Sequence, residues 1–159
     1  MDGLAKMNNC HHYTGCGLDY VYLANGFTEK QTEHGPSITI EDMDGLHDVI
    51  AMMIIASPRR IRGQELRYLR SMLGISQGTL AKILDVTRST IARWEGKPSE
   101  AINGPADRLL RLFYALEKVG HARAKRIVKL LKELDELEQT EAAIFKEAES
   151  GWEEERQAA

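Results

Sequence analysis

Between positions 63 and 120, apolar residues recur every three or four places, in four short runs separated by capping and turn residues. This spacing predicts four helices. Ser76 and Thr87 are preferred N-caps for the second and third helices, and Gly74 and Gly96 are expected to end the first and third. The pattern is typical of a compact bundle of short helices.

The fourth helix is predicted to follow Gly104, with Pro105 in its first turn. Proline lacks an N–H, but an N–H at that position would have no partner within the helix. Its apolar residues repeat at helical spacing, so we expect one face to be buried. That face consists of Leu109, Leu112, Phe113 and Leu116.

The N-terminal part has a different pattern, with apolar and polar positions alternating in the run LDYVYLANGF. The run ends at Asn25 and Gly26, the strongest short-range signal for a β-hairpin. One or two further strands are expected around Gly35 and Pro36, giving a sheet of two or three strands. Because an isolated hairpin is marginally stable, we expect it to pack on the helix that the next apolar run predicts and Pro58 ends.

The last segment, residues 121–159, carries apolar residues at a/d-type spacing among many charges. It predicts one long amphipathic helix that frays at Gly151. Its apolar stripe continues beyond the compact domain and has no other predicted partner in the chain, which suggests dimerisation. The expected dimerisation positions are Ile127, Leu130, Leu134, Leu137 and Ile144.

These elements predict a mainly α protein with a small N-terminal β element. We expect a β-hairpin plus helix module over residues 1–57, a helical domain over 58–119 and the long charged helix over 120–159. An apolar fraction of 43% and a charged fraction of 28% are typical of globular proteins. The longest apolar run is far short of the ~20 residues that span a bilayer, and the N-terminus lacks a signal-peptide pattern. We therefore expect a cytoplasmic protein with no membrane partner.

Charge is distributed very unevenly along the chain. The net charge is only −3, yet residues 59–97 hold nine Lys or Arg against three acids, a balance of +6. Residues 133–159 hold ten acids against two bases, a balance of −8. Because salt screens charges beyond roughly 10 Å, the local balance governs approach to a polyanion, and the central segment is suited to one.

The stretch SQGTLAKILDVTRSTIARWEGK, residues 76–97, predicts two short helices joined by a tight turn. Entry into a DNA major groove requires short polar or long basic residues on the outward face of the second helix. Gln77, at the start of the first helix, would lie near a phosphate. The second helix offers the required side chains at Thr87, Arg88, Ser89, Thr90 and Arg93.

This stretch resembles the helix-turn-helix of the lambda-repressor-like (Xre) family at Gln77, Ala81, Val86, Ile91, Trp94 and Glu95. The flanking runs GQELRYLRSMLGIS and PADRLLRLFYAL resemble the first and fourth helices of that family. The wider order, from YTGCGLDYVYLANGF through DGLH to the helix pair, looks like MqsA-like and HigA-like antitoxin regulators. The family usually has glycine at Asp85, where the backbone is left-handed; Asp tolerates that conformation at a cost of about 1 kcal/mol.

The resemblance implies a DNA-binding domain over residues 58–119 and assigns roles to particular side chains. Base contacts fall on Arg88, Ser89 and Arg93. Phosphate contacts fall on Gln77, Thr87 and Lys97, and we expect Thr90 to join them.

The run CHHYTGC places four potential zinc ligands, Cys10, His11, His12 and Cys16, within seven residues. Their spacing is unusual for zinc, adjacent histidines rarely bind one tetrahedral ion, and no second cysteine pair follows. We therefore expect no metal and no other cofactor, with a zinc site kept as the alternative. No arrangement of nucleophile and base, phosphate loop or paired carboxylates indicates catalysis, so no enzyme and no catalytic residue is expected.

The sequence predicts a sequence-specific transcriptional repressor that binds an inverted-repeat operator as a homodimer and regulates its own expression. The alternative is an antitoxin whose main role is to bind and neutralise a toxin, with DNA binding as autoregulation of the operon. The expected partners are double-stranded DNA, a second copy of the chain and, in the alternative, a toxin or another protein.

Overall fold

A computed structural model describes residues 9–120 and 143–155 of the chain. These residues form two compact units. The first unit combines the residues up to Ile50 with residues 143–155, and the second runs from Ala51 to residue 120. Within the described residues, no helix is both long enough and apolar enough to cross a membrane.

The first unit is built on a four-stranded sheet and a two-stranded hairpin. The sheet has the order β1 (His11–His12), β2 (Val21–Leu23), β5 (Ala143–Ala148), β6 (Gly151–Glu154), in which only β2 and β5 are parallel. The hairpin consists of β3 (Phe27–Thr32) and β4 (Gly35–Ile40). The hydrophobic core of the first unit includes Leu18, Val21, Leu23, Ile144, Phe145 and Trp152.

The hairpin lies one strand further along the chain than the Asn25-Gly26 signal predicted. Those two residues separate β2 from β3, which belong to different sheets, and the paired strands β3 and β4 meet where Thr32 lies opposite Gly35. Val21 and Leu23 are fully buried, and β2 pairs on both sides, with β1 and with β5. Gly26 has a positive φ of 73°, and a Cβ there would collide with the Trp152 ring.

The prediction of a mainly α protein with a long C-terminal helix is wrong. The described residues contain six strands alongside their helices, and two of those strands, β5 and β6, lie within the segment predicted as helix. Ile144, predicted as a dimerisation position, is 2% exposed in β5, where it faces Tyr22 across the parallel pair. The other predicted dimerisation positions, Ile127, Leu130, Leu134 and Leu137, lie outside the described residues.

The physical reason is a pairing between distant parts of the sequence. In β5, Ala143, Ile144 and Phe145 are all buried, and Ala143 and Phe145 lie opposite Val21 and Leu23. Such an apolar run satisfies a helical period as well as a buried strand, so periodicity alone does not separate the two.

The second unit contains the last six residues of α1 (Met43–Ala56), followed by α2 (Gly63–Leu73), α3 (Gln77–Ile83), α4 (Arg88–Glu95) and α5 (Gly104–Tyr114). A π-helical turn, Ala115–Val119, continues α5. The predicted caps are confirmed: the side chains of Ser76 and Thr87 accept hydrogen bonds from the third residue after each, and Gly74 ends α2 with a φ of 66°. The apolar core includes Leu66, Leu69, Leu80, Ile91, Ile102 and Leu110.

The predicted buried face of α5 is wrong by about one residue. Leu109 is 40% exposed and Leu116 46% exposed, whereas Leu110 and Tyr114 are buried. The inward face also carries an ion pair that apolar periodicity cannot indicate. Arg111, 1% exposed, contacts Asp107 at 3.0 Å and donates hydrogen bonds to the carbonyl oxygens of Ile54, Ile55, Ser57 and Arg59.

Candidate nucleic-acid interface

The α3–α4 pair is joined by a turn built around Asp85. The residue has a φ of 53°, in the left-handed region, and the amide of Val86 donates to the carbonyl oxygen of Ala81 at 2.9 Å. Its side chain is exposed, so the carboxylate is solvated. The predicted left-handed turn is therefore confirmed, and Asp85 is compatible with a helix-turn-helix.

The seam of the pair is apolar and fixes the presentation of α4. Leu80, Ala81, Leu84 and Ile91 are all at most 5% exposed. Next to them, α2 begins so close to the end of α4 that a Cβ on Gly63 would collide with the Trp94 carbonyl oxygen. The amides of Gly63 and Gln64 donate to the carbonyl oxygens of Glu100 and Pro98. The start of α2 thus lies against the end of α4 and is hydrogen-bonded to the segment that follows it.

The exposed face of α4 carries Arg88, Ser89 and Arg93, the residues predicted to contact bases. A fourth exposed residue, Ala92, lies among them. Opposite this face, Ile91 is fully buried and Trp94 is half-buried. Sequence reasoning considered only polar and basic side chains on this face and so did not include Ala92. Its spacing of four residues from Arg88 places both on one side of the helix.

The residues predicted to contact phosphates already have partners within the chain. Gln77 is half-buried, and its Nε2 donates to Glu95 Oε2 at 2.9 Å. The Thr87 hydroxyl accepts from the amide of Thr90 at 3.1 Å, and the two hydroxyl oxygens are 2.9 Å apart. Lys97 Nζ contacts Glu100 at 3.0 Å. Of these, Thr87 and Lys97 are exposed.

Glu95 is the centre of a network that sequence reasoning did not find. Arg70 donates to both of its oxygens, at 2.6 and 3.0 Å, and to the carbonyl oxygen of Ile75 at 3.0 Å. Burial alone would raise the pKa of Glu95, but hydrogen bonds from Arg70 and Gln77 outweigh it and lower the pKa. The bond to Glu95 raises the pKa of Arg70. The network therefore joins α2, the start of α3 and the end of α4 by charge-assisted bonds.

The candidate zinc ligands contact other groups in the first unit. His12 stacks on Tyr22 and contacts the carbonyl oxygen of Asp19 at 3.0 Å, and the His11 ring lies 5.2 Å from that of Phe27. Within the described residues, neither cysteine forms a disulfide bond. Burial raises the pKa of Cys16 and of Cys10, which disfavours the thiolate that binds metals. Among residues 9–120 and 143–155, no group of three or more His, Cys, Asp or Glu side chains is arranged to hold a metal ion.

Comparison with known families matches residues 66–96 to the model described as Helix-turn-helix. The matched segment begins within α2 and ends at the C-cap of α4, so it contains the whole α3–turn–α4 pair. Neither the curated proteins nor the solved structures contain a match to the chain. The exposed basic face of α4, the left-handed turn and the family match agree: residues 66–96 form a helix-turn-helix similar to that of the lambda-repressor-like (Xre) family, and the chain is a DNA-binding transcriptional regulator.

Proposed function

We propose that this protein is a sequence-specific transcriptional repressor that binds an inverted-repeat operator as a homodimer and represses its own promoter in the cytoplasm. The observation that carries the proposal is the exposed face of α4, where Arg88, Ser89 and Arg93 are grouped. Arginine binds guanine O6 and N7 through two hydrogen bonds, and serine can bond to either kind of base edge. G·C pairs are therefore expected in each half-site.

Fixed presentation of α4 supports base recognition over a purely electrostatic role. The apolar seam, the backbone contacts to α2 and the Arg70–Glu95 pair all hold the helix at one angle. Side chains distinguish bases only when the helix enters the groove in a defined orientation. We assign phosphate contacts to Thr87 and Lys97, because both are exposed near the ends of α4. Thr90 supports Thr87 through their hydrogen bonds, and Gln77 supports the end of α4 through its bond to Glu95.

The homodimer is supported by an apolar surface on α5 and the π-helical turn that continues it, called here the α5 surface. One short recognition helix buries too little surface for high specificity, so half-sites in such proteins are bound by two-fold dimers. Leu109 and Leu116 are two of only four large hydrophobic residues that are exposed within the described part of the chain. Leu112 and Phe113 lie between them at helical spacing and are half-buried. We assign a second copy of the chain to this α5 surface.

The antitoxin role is a second candidate, supported by the β3–β4 hairpin. All of its residues except Phe27, Gly35 and Ile40 are exposed. A two-stranded ribbon exposed on both faces is marginally stable by itself, and strand edges bind other chains. Its ionisable side chains other than histidine are Glu29, Lys30 and Glu33. Their net negative charge does not favour contact with DNA phosphates, so the ribbon is better suited to a protein partner.

Selection of binding sites from a randomised duplex pool, followed by footprinting on the protein's own promoter, tests the main proposal. We expect one enriched inverted repeat, a footprint over it, and loss of enrichment for Arg93→Ala. Equal affinity for all sequences would refute sequence-specific binding. Co-expression with a neighbouring toxin gene tests the second candidate. If Arg93→Ala, which still carries the hairpin, restores growth of cells that express the toxin, then the protein neutralises the toxin independently of DNA binding.

A further inference from the structure

We propose that Ala92 is a specificity-determining residue whose methyl group contacts the 5-methyl of a thymine in each half-site. The inference rests on the proposed function and adds a base that the two arginines of α4 would not select. It makes a T·A pair, next to the G·C pairs expected for the arginines, part of the recognition sequence.

The angular order of residues around α4 places Ala92 within the groove-facing surface. Successive residues of an α-helix are rotated by about 100°. The exposed arc therefore runs from Arg88 at 0°, through Ala92 at about 40° and Ser89 at about 100°, to Arg93 at about 140°. Ile91, the fully buried residue of the helix, lies outside this arc. Ala92 is thus an inner member of the exposed surface.

Side-chain length divides this surface into a centre and two edges. The two inner residues, Ala92 and Ser89, are short, and the two outer residues, Arg88 and Arg93, are long. Short inner side chains let the helix axis come close to the floor of the groove, while the arginines reach bases on either side. A longer residue at position 92 would hold the helix away and lengthen the contacts of both arginines.

The chemistry of a methyl side chain limits what Ala92 can select. The major-groove edges of G, A and C offer only hydrogen-bonding groups, whereas thymine adds an apolar 5-methyl. An exposed alanine has no donor or acceptor on its side chain, so its favourable contact is with that methyl. Burial of one methyl or methylene group contributes enough free energy for a change of about fourfold in affinity.

The test uses the full chain and the inverted repeat enriched by wild-type protein from the randomised pool. Each thymine of one half-site is replaced in turn by deoxyuracil, which removes only the 5-methyl, and dissociation constants are measured for wild type and for Ala92→Gly. We expect one thymine at which wild type loses about fourfold in affinity on replacement and Ala92→Gly loses nothing. The ratio of thymine to deoxyuracil affinity cancels any general weakening of α4 by glycine.

A second variant, Ala92→Gln, tests close approach. We expect it to bind the enriched repeat more weakly than Ala92→Gly does, because the longer side chain displaces the helix. The inference is overturned if wild type and Ala92→Gly show the same deoxyuracil effect at every thymine, or if no thymine matters. Failure of wild type to enrich any sequence would instead refute the proposed function, and the two failures are therefore distinguishable.

Discussion

The Arg70–Glu95 pair gives the sharpest prediction about how the helix-turn-helix is held together. In Arg70→Met, Glu95 loses both hydrogen bonds from the guanidinium and keeps that from Gln77. The two side chains are only 18% and 7% exposed, so the remaining carboxylate is poorly hydrated. Methionine fills much of the same space, which leaves loss of the charge pair as the main effect.

Burial sets the magnitude of this effect. Exposed ion pairs contribute about 0–1 kcal/mol, whereas removing one partner of a buried pair costs about 3–5 kcal/mol. Because both residues are mostly but not fully buried, we expect Arg70→Met to lower the free energy of unfolding by about 2 kcal/mol, between these two ranges. The matched control is Arg108→Met on α5, where the side chain is exposed and the expected change is within about 0.5 kcal/mol.

The effect of Arg70→Met has a defined dependence on pH. The pKa of Glu95 is lowered in the folded protein, so its ionised form contributes stability that is fully present above the unfolded-state pKa of about 4.3. That contribution is lost as pH falls through the lower folded-state pKa. Without Arg70, burial of Glu95 is less well compensated, so the folded-state pKa of Glu95 is higher in Arg70→Met than in wild type. The difference in stability between the two proteins should therefore narrow as the pH falls through the folded-state pKa of the variant towards that of wild type.

Urea denaturation followed by circular dichroism at 222 nm measures both quantities, since most of the described helical residues lie in the second unit. Titrations at pH 7 and at successively lower pH give the difference in the free energy of unfolding for each variant. A loss below about 1 kcal/mol at pH 7, or a difference that stays constant as the medium is acidified, would contradict the assignment of a stabilising buried pair.

Three further predictions concern DNA contacts, the turn and the dimer. Arg93→Ala should weaken operator binding by about 1–3 kcal/mol and relax the preference for one base pair, measured by binding to single-base operator variants. An equal loss of affinity for every variant would mean that Arg93 contacts a phosphate instead. Lys97→Ala should reduce the slope of log affinity against log salt concentration by about one unit without changing base preference. Asp85→Gly should raise the free energy of unfolding by about 1 kcal/mol, because φ is 53° there; an unchanged urea midpoint would show that the turn is unstrained. The double variant Leu109→Lys/Leu116→Lys should sediment as a folded monomer where wild type sediments as a dimer, and a persisting dimer would remove the α5 surface as the interface.

The sequence by itself predicted the helix-turn-helix and its capping. Ser76, Thr87 and Gly74 act within one turn of their own helices, and Asp85 has the backbone conformation that its place in the turn demands. Local hydrogen bonds and backbone sterics depend on neighbouring residues alone, so they can be inferred from a short stretch of sequence. The exposed arginines of α4 followed from the same helical period.

Tertiary structure decided the features that join distant residues. Strand β5 pairs with β2, which lies more than a hundred positions earlier, and its apolar run satisfies a helical pattern equally well. Burial of Arg111 on α5 depends on Asp107 and on carbonyl oxygens near the end of α1. The face that carries this ion pair is buried, whereas Leu109 on α5 and Leu116 in the following π-helical turn are exposed.

The candidate site shows the same division at the level of single residues. Sequence indicated that Arg88, Ser89 and Arg93 lie on the exposed side of α4, because the outward face follows from helical spacing. Only the structure brought Arg70, Gln77 and Glu95 together across three helices, since ion pairing between separate elements leaves no periodic trace. Helical spacing puts Ala92 on the same side of α4 as Arg88, but only the structure shows that it is exposed, because the accessibility of a small apolar residue depends on what packs around the helix.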